Sequence, residues 1–315
     1  MDTQLFSRRK PITIGLPRAM LYHRYEILWK SFFSSLGIKY IVSEPTNKKI
    51  ITNGSACSID EACLPTKIFL GHVQSLLGKC DYIFVPRISN FGIRRSMCTK
   101  FESLYDISTN TFRDSRQKFL AYEVDVLRKI LEEDSMIRMA QSLGYSKKEA
   151  KHAYKEAKDA QKNYNKAKLK KQEELLNNKG LKILIISHSY VGYDPYIGTP
   201  VASILKKMGV NILYSDVIDR KSALKQSIKV SPTLRWELSR ESVGAINIYK
   251  NQIDGIILLS AFPCGPDSMV NEMIISQFRG MPTLNIVLDD QSGTAGLETR
   301  LESFIDILKL KGGQL

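Results

Sequence analysis

The sequence has little that would suit a membrane or secreted protein. No stretch approaches the roughly 20 consecutive apolar residues that a membrane helix needs. The first ten residues, MDTQLFSRRK, contain no apolar segment of the kind that signal peptides carry. Five cysteines among 315 residues are too few, and odd in number, for a disulfide framework. We therefore expect a soluble, cytoplasmic protein whose thiols are core residues, metal ligands or nucleophiles.

Familiar nucleotide and metal motifs are also absent. The chain has no G-x-x-x-x-G-K-[ST] phosphate loop and no G-x-G-x-x-G segment after a strand. ATP hydrolysis and the usual mode of dinucleotide binding are therefore not expected. No compact C-x-x-C pair occurs, which excludes a zinc ribbon or a ferredoxin repeat.

The chain is basic, with a net charge of +14. Almost half of this surplus lies in residues 147–179, which contain 11 lysines and five acidic residues. The sequence shows no strand surface that combines aromatic and basic residues as single-stranded RNA readers do. We therefore expect an anionic ligand or an acidic protein partner rather than nucleic acid.

The order of apolar runs and glycines predicts an α/β fold with two similar halves. In the first half, strands are predicted at 12–17, 39–42 and 81–86, with helices at 22–36 and 65–77. In the second half, strands are predicted at 182–186, 211–214, 256–259 and 283–288, with helices at 197–208 and 297–310. This pattern is typical of two flavodoxin- or Rossmann-like domains with parallel sheets. We place the domains at 1–116 and 180–315.

A helical insert is predicted between the two domains, at residues 117–179. Small side chains recur along it at heptad spacing, which favours close contact between helices. This seam consists of Ala150, Ala153, Ala157, Ala160, Tyr164 and Ala167. We expect it to pack on an earlier helix at 122–139 of the same chain. A dimer contact or a docking surface stays open as the alternative.

Three cysteines lie in loops next to predicted strands and helices. Cys264 follows the apolar run 256–259, where open α/β sheets place their chemistry, and its Pro-Cys-Gly-Pro context predicts an irregular backbone. Cys98 lies near Arg94, Arg95 and Lys100, whose charges should lower the pKa of its thiol. Cys63 precedes a predicted helix, whose N-terminal amides favour a thiolate. Three such thiols indicate a soft-metal or iron–sulfur site, although each could also be a packed or unused cysteine.

The other chemistry-bearing residues are weaker candidates. Cys80 directly precedes a strand and is interpreted as a buried structural thiol. Cys57 lies in a predicted loop and is either a fourth ligand or a bystander. His188, at the end of a strand, is a candidate acid–base group or a hydrogen-bonded loop residue. We assign His72 a structural role on its helix, and interpret Asp289 and Asp290 as turn-capping residues or as partners of a cationic ligand.

The cysteine-centred segments carry a resemblance to a known family. The segments are 61–67 (EACLPTK), 71–72 (GH), 84–87 (FVPR), 97–101 (MCTKF), 188–190 (HSY), 193–195 (YDP), 261–267 (AFPCGPD) and 296–304 (GLETRLESF). In them the chain resembles the 2-hydroxyacyl-CoA dehydratase superfamily, whose characterised members include the D component of 2-hydroxyglutaryl-CoA dehydratase. It looks most similar to the branch of acyl-CoA dehydratase activase-related proteins, and the resemblance spans about residues 12–308.

The resemblance implies a cofactor, a partner and a substrate class. Two flavodoxin-like domains would hold a [4Fe–4S] cluster through three cysteines, which on this chain are Cys63, Cys98 and Cys264. The fourth iron would stay open to water, a sulfur species or substrate. A separate ATP-hydrolysing activase would supply a low-potential electron, and the substrate would be a small anion such as an acyl-CoA ester.

Two other functions remain open at the level of sequence. The chain could carry electrons or act as a scaffold for the activase without catalysis, with Cys57 completing a closed four-thiolate cluster. It could also be a zinc-binding or cluster-free binding module, which metal analysis would reveal.

Overall fold

The structure, a computed structural model, describes residues 11–290 and 296–312. The N-terminal ten residues considered above lie outside this range. In the part of the chain that is described, no helix is long and apolar enough to cross a membrane.

A parallel sheet organises the first half of the chain. Its strands and those of a neighbouring pair are β1 (Thr13–Leu16), β2 (Lys39–Val42), β3 (Tyr82–Phe84), β4 (Arg87–Asn90), β5 (Lys118–Leu120) and β6 (Glu123–Asp125). The main sheet has the order β2-β1-β3-β5, and β4 pairs in parallel with β6 beside it. Because β1 lies between β2 and β3, the sheet extends to both sides of β1.

Helices flank this sheet. They are α1 (Tyr22–Ser35), α2 (Lys48–Ala56), α3 (Leu64–Leu76) and α4 (Thr99–Thr111). The apolar face predicted for α1 is buried, and Gly37 follows the helix with a left-handed φ of +69°, as a C-terminal glycine should. The region of Cys57 was predicted as loop, but α2 ends there and Cys57 is its C-terminal cap.

The region between the halves differs from the predicted helical insert. β5 and β6 lie at its start, and residues 126–128 form a 3₁₀ turn, so the helix predicted at 122–139 is wrong in its first part. The helices that do form are α5 (Glu132–Ser142) and α6 (Lys147–Asn177). α6 packs on α5, as predicted, and also on α1.

The alanine seam of α6 is buried only in its first half. Ala150, Ala153 and Ala157 are fully buried, but Tyr164 is 38% exposed and Ala167 is exposed. A straight helix has 3.6 residues per turn, so a 3.5-residue repeat drifts around it and leaves the contact face. Gln161 and Gln172 take the buried positions further along the helix.

The second half repeats the strand order of the first. Its strands are β7 (Lys182–Ile186), β8 (Asn211–Tyr214), β9 (Gly255–Ala261) and β10 (Thr283–Leu288), in the parallel order β8-β7-β9-β10. Its helices are α7 (Ser189–Gly192), α8 (Thr199–Lys207), α9 (Arg220–Val230), α10 (Glu237–Tyr249), α11 (Gly265–Gln277) and α12 (Leu297–Gly312). In both halves the first strand lies between the second and the third, so the predicted fold class is confirmed.

One large hydrophobic cluster contains side chains from both halves. Phe32, Phe84 and Met136 belong to it together with Ile183 and Ile257. A smaller cluster covers the other face of the second sheet and includes Leu184, Val243 and Leu258. The two halves therefore share a core, which fixes the ends of the two sheets relative to one another.

Candidate functional site

Cys63, Cys98 and Cys264 occupy the same structural position in three different helices. Each is the N-cap residue, in extended backbone conformation, of α3, α4 and α11 respectively. The Gly265-Pro266 pair, predicted to be irregular, forms the first turn of α11, because proline at the start of a helix lacks only an N–H that would be unpaired there anyway. The three helix N-termini bring their positive dipole ends to the three thiols.

Strand ends at the switch point of the second sheet supply part of the site. Cys264 follows β9 and His188 follows β7, and these two strands are hydrogen-bonded neighbours. Open α/β sheets bind ligands outside the carboxyl ends of such strands. From the first half, Met20 follows β1 and Cys98 follows β4, so residues from both halves come together here.

Backbone hydrogen bonds hold the cysteine loops of the two halves together. The amide of Leu64, next to Cys63, donates to the carbonyl of Phe262 at 2.9 Å. The amide of Ser96 donates to the carbonyl of Arg235 at 3.0 Å, and the amide of Glu237 donates to Ser96 at 2.8 Å. The loops that carry all three thiols are therefore fixed by contacts between the halves.

The three cysteines line one cavity between the two halves. It contains about 570 Å³ of empty space, part of which is open to solvent. Apolar and aromatic side chains form much of its surface, including Met20, Phe101, Tyr190 and Trp236. The polar side chains that line it, besides the thiols, include Lys100, His188, Glu237 and Asp267.

Burial dominates the ionisation of two of the thiols. It raises the pKa of Cys98, and the nearby Cys63 adds to this effect. It also raises the pKa of Cys264 strongly, with a further contribution from the charge of Asp267. The backbone amides of Lys100 and Asp267 act in the opposite direction but are outweighed.

The expectation that Arg94 and Arg95 lower the pKa of Cys98 is wrong. Arg95 forms an ion pair with the fully buried Glu237 at 2.8 Å, and Arg94 is exposed, with its carbonyl bound by Arg240. Only Lys100 among these basic residues lowers the pKa of Cys98, and its effect is smaller than that of burial.

His188 and Asp267 form a buried ion pair beside Cys264. The distance between His188 Nε2 and Asp267 Oδ1 is 2.8 Å, and the side chains are 10% and 12% exposed. Burial is the largest single effect and lowers the pKa of His188, but the charge and the hydrogen bond of Asp267, together with the charge of Glu241, raise the pKa overall. Burial likewise opposes ionisation of Asp267, yet His188 lowers its pKa. Both shifts favour the ion pair of a protonated imidazole with a carboxylate.

Tyr190 links the aromatic part of the cavity to this ion pair. Its ring lies 5.2 Å from that of His188 and 5.7 Å from that of Phe101. Burial raises the pKa of Tyr190 well above its usual value, and Asp267 and all three thiols add to the shift. The phenol thus stays protonated beside the three cysteines.

The remaining predicted residues lie elsewhere. Cys57 and Cys80 are half-buried and are not among the residues that line the cavity, and Cys80 packs against Gly15 of β1. His72 is fully buried, with Ser43 Oγ 2.8 Å from Nδ1 and Thr46 Oγ1 2.9 Å from Nε2, in line with its predicted structural role. Asp290 binds Lys67 of α3 at 3.4 Å, which connects the two halves.

Asp267 and Tyr190 were not singled out from the sequence. Asp267 is the third residue of α11, where acidic residues favour a helix N-terminus, so the spacing Cys-x-x-Asp was the available signal. Tyr190 contacts Phe101 of the other half, and no local pattern in the sequence reports that contact.

The donor set can be compared with the metals considered above. Within the described residues, no group of three His, Cys, Asp or Glu side chains is arranged to hold a metal ion. A mononuclear zinc site, whose ligands lie about 2.0–2.3 Å from one ion, is therefore not supported. In an iron–sulfur cluster the cysteines bind different irons and need not converge on one point. An iron–sulfur cluster is suited by soft thiol ligands and by the helix N-termini beside them. It is also suited by burial, which disfavours free thiolates.

Fold and site together define an α/β protein with two four-stranded parallel sheets and a cysteine-lined cavity between its halves. The chain belongs to the family described as the CoA enzyme activase uncharacterised domain, whose model matches residues 13–218. The match includes Cys63, Cys98 and His188 and ends before Cys264. It agrees with the activase-related branch of the resemblance, while the relation to the dehydratases stays a prediction. A search of the curated proteins finds no match.

Proposed function

We propose that this chain is an iron–sulfur redox protein of the 2-hydroxyacyl-CoA dehydratase type. Cys63, Cys98 and Cys264 would hold a [4Fe–4S] cluster in the cavity between the halves. An ATP-hydrolysing activase would reduce the cluster, and a small anionic substrate, of the acyl-CoA class, would bind beside it. The single observation that carries the proposal is the presence of three N-cap cysteines on one cavity at the ends of two sheets.

The surroundings of the thiols suit a negatively charged group. Three helix N-termini and Lys100 provide positive potential, and the amides of Lys100 and Asp267 favour charge on Cys98 and Cys264. Burial opposes free thiolates at Cys98 and Cys264, so a bound cation or cluster would favour their ionisation, and binding would release their protons.

The other residues of the cavity have separate roles. When bound, a cluster with one iron free of protein ligands would supply an electron and a Lewis-acid site. His188 holds a proton on Nε2 against Asp267, so it is the candidate acid–base group. Tyr190, Phe101 and Met20 exclude water from the space beside the thiols. Lys100 is placed to attract an anionic substrate.

Cysteine substitutions test the ligand set. In protein purified without oxygen, Cys63→Ser, Cys98→Ser and Cys264→Ser should each sharply reduce bound iron and acid-labile sulfide from about four of each per chain. Cys80→Ser is the matched control, because it makes the same chemical change at a half-buried thiol outside the cavity. Loss of iron in Cys80→Ser, with iron retained in Cys98→Ser, would show that the ligand set is wrong.

The alternative is an electron carrier with a closed four-thiolate cluster, and the role of Cys57 distinguishes it from the open cluster. Cys57 caps the end of α2 and does not line the cavity, which favours the open cluster. Cys57→Ser should therefore keep its iron, and the electron paramagnetic resonance signal of the reduced protein should change when an acyl-CoA is added. Loss of iron in Cys57→Ser, together with a paramagnetic resonance signal that does not change when acyl-CoA is added, would favour the electron carrier.

A further inference from the structure

A second cavity is connected to the thiol site by an ion pair, because Glu237, which lines the thiol cavity, binds Arg220, which lines the second cavity. It contains about 830 Å³ of empty space, part of which is open to solvent. Unlike the thiol cavity, it is lined mainly by charged, amide and phenol groups. It lies between α1, α6 and the segment from β8 to α10.

Helix α6 bridges the two halves over this cavity. Gln161 Oε1 accepts a hydrogen bond from the amide of Leu28 in α1 at 3.0 Å. Gln172 binds β8 and the residues after it, accepting from Tyr214 N at 2.8 Å and donating to Val217 O at 2.7 Å. Between these two anchors, α6 presents Tyr164, Asn165 and Lys168 to the cavity.

Positive charge exceeds negative charge in the lining. Two carboxylates, Asp216 and Glu241, face four cationic side chains, which are Arg24, Lys158, Lys168 and Arg220. Glu241 holds both arginines, with Arg24 from the first half at 2.8 Å and Arg220 from the second at 2.7 Å. Lys158 is offset by Glu132 outside the cavity, at 2.7 Å, so one positive charge remains in surplus. Arg and Lys are the usual ligands of phosphate groups.

Lys168 is the cation most available to a ligand. Its Nζ lies 3.2 Å from the hydroxyl of Tyr193 and 4.2 Å from the centre of the Tyr193 ring. The same hydroxyl donates to Asp216 at 2.5 Å. Among the described residues, no carboxylate lies within ion-pair distance of Lys168. Its charge is therefore positioned by an aromatic ring and left without a direct counter-ion.

Groups suited to a planar ring line the same space. Tyr25 and Tyr164 line it from α1 and α6, and Gln161 and Asn165 provide amides. His23 also lines the cavity, and its buried Nε2 atom has no hydrogen-bond partner within the described residues. Aromatic rings stack on nucleotide bases, and an unpaired buried nitrogen requires a polar partner.

We propose that this second cavity binds an organic phosphate that carries a planar ring. A free adenine nucleotide and the nucleotide end of CoA share this chemistry. The phosphate would bind Lys168 with the arginines, and the ring would contact Tyr164 and Tyr25. The inference does not rest on the thiol centre, since none of these residues lines that cavity.

Calorimetric titration of the full chain with ADP, CoA and inorganic phosphate tests the inference. Lys168→Gln should weaken binding of ADP or CoA about tenfold or more, since a charge-assisted hydrogen bond is lost. Tyr164→Leu should weaken ADP or CoA by about tenfold and leave inorganic phosphate unchanged, because only the ring contact is removed. Lys166→Gln, an exposed lysine on the same helix outside the cavity, is the matched control. Iron content should be the same in all four proteins.

The outcomes separate the ligand sources. Equal binding of ADP and CoA indicates that the shared nucleotide end is recognised, and binding of one alone identifies that source. The inference is overturned if neither binds at about 1 mM, where even a weak site would be half filled. It is also overturned if Lys166→Gln weakens binding as much as Lys168→Gln does, or if phosphate alone binds and Tyr164→Leu has no effect.

Discussion

The thiols of Cys98 and Cys264 are each subject to two opposing effects. As N-cap residues they lie at the positive ends of helices, which favours negative charge. Burial beside other thiols and Asp267 disfavours that charge, and for Cys98 and Cys264 burial is the larger effect. Ionised thiols at this position therefore depend on a cationic partner, which is the condition that a ligand set for a metal cluster should meet.

A buried histidine away from this site gives a prediction about acid stability. Burial lowers the pKa of His72 to about 3, and the nearby charges of His23 and Arg18 contribute. The unfolded chain binds a proton near pH 6.5 and the folded chain does not, so stability should fall as the pH drops below about 6.5. Between pH 6.5 and 4.5 the loss from this residue should be roughly 2 kcal/mol. Urea unfolding at a series of pH values measures it.

Two variants make this measurement specific. His72→Gln cannot titrate, so its free energy of unfolding should depend less on pH in this range, whatever its absolute stability. His152→Gln removes an exposed histidine of α6 and should leave the dependence as it is in the original chain. Parallel pH curves for His72→Gln and the original chain would rule out the assigned role.

The sequence predicts some of these residue environments and not others. The convergence of Cys63, Cys98 and Cys264 could be predicted because each lies next to a predicted strand or helix end in a fold that gathers such ends. The raised pKa of Cys98 could not be predicted, since burial in the folded chain is its largest cause, and Arg95 pairs with Glu237, 142 positions away, instead of lowering it. The ion pair of His188 with Asp267 was missed for the same reason, because only the folded chain brings these two distant residues together.

At the scale of elements, two glycines determine how closely α2 and α3 approach. A Cβ atom on Gly54 would lie 1.8 Å from the carbonyl oxygen of Lys67, and one on Gly71 would lie 2.0 Å from that of Ile50. Backbone atoms cannot move aside as side-chain ends can. Gly71→Ala should therefore reduce the free energy of unfolding by about 3 kcal/mol, at the upper end of overpacking effects.

Gly280→Ala is the matched control for this substitution. No atom lies within 4 Å of a Cβ placed there, and the residue is exposed, so the change should stay within about 0.5 kcal/mol. Chemical denaturation of both variants measures the difference. Equal stabilities would mean that α2 and α3 can separate without cost and that their close packing does not fix the position of Cys63.

Two of the helices that were not predicted, α10 and α11, were missed for different physical reasons. α10 contains Glu237, Arg240 and Glu241, which suggest a solvated surface, yet all three are buried and paired with arginines or backbone groups. α11 begins at Gly265 and Pro266, which indicate a loop unless the proline is recognised as a first-turn residue. Strands β2, β7, β8 and β10 were predicted correctly because they are short apolar runs next to turn residues.

At the scale of the whole molecule, two sheets of the same strand order meet at their carboxyl ends. Residues that follow strands of both halves thereby line one cavity, and each half contributes thiols to it. Ion pairs such as Lys67 with Asp290 and Arg24 with Glu241 join the halves around the site. A site built from both halves needs them held rigidly, and the shared hydrophobic cluster meets this need.

A shared core predicts that the two halves unfold together, although the sequence suggests two domains. Ile257 of β9 is fully buried in the cluster that also contains Trp29 of α1. Ile257→Ala should therefore lower the free energy of unfolding by about 3 kcal/mol, and Trp29 in the first half should report this loss. The chain has two tryptophans, so Trp236→Phe leaves Trp29 as the sole fluorescent reporter there. In urea, Trp29 fluorescence and far-UV circular dichroism should show one transition with a common midpoint, and Ile257→Ala should shift both equally. If the midpoint of Trp29 stayed fixed while part of the dichroism signal moved, the halves would be independent, and a cavity lined by both could not hold a rigid ligand set.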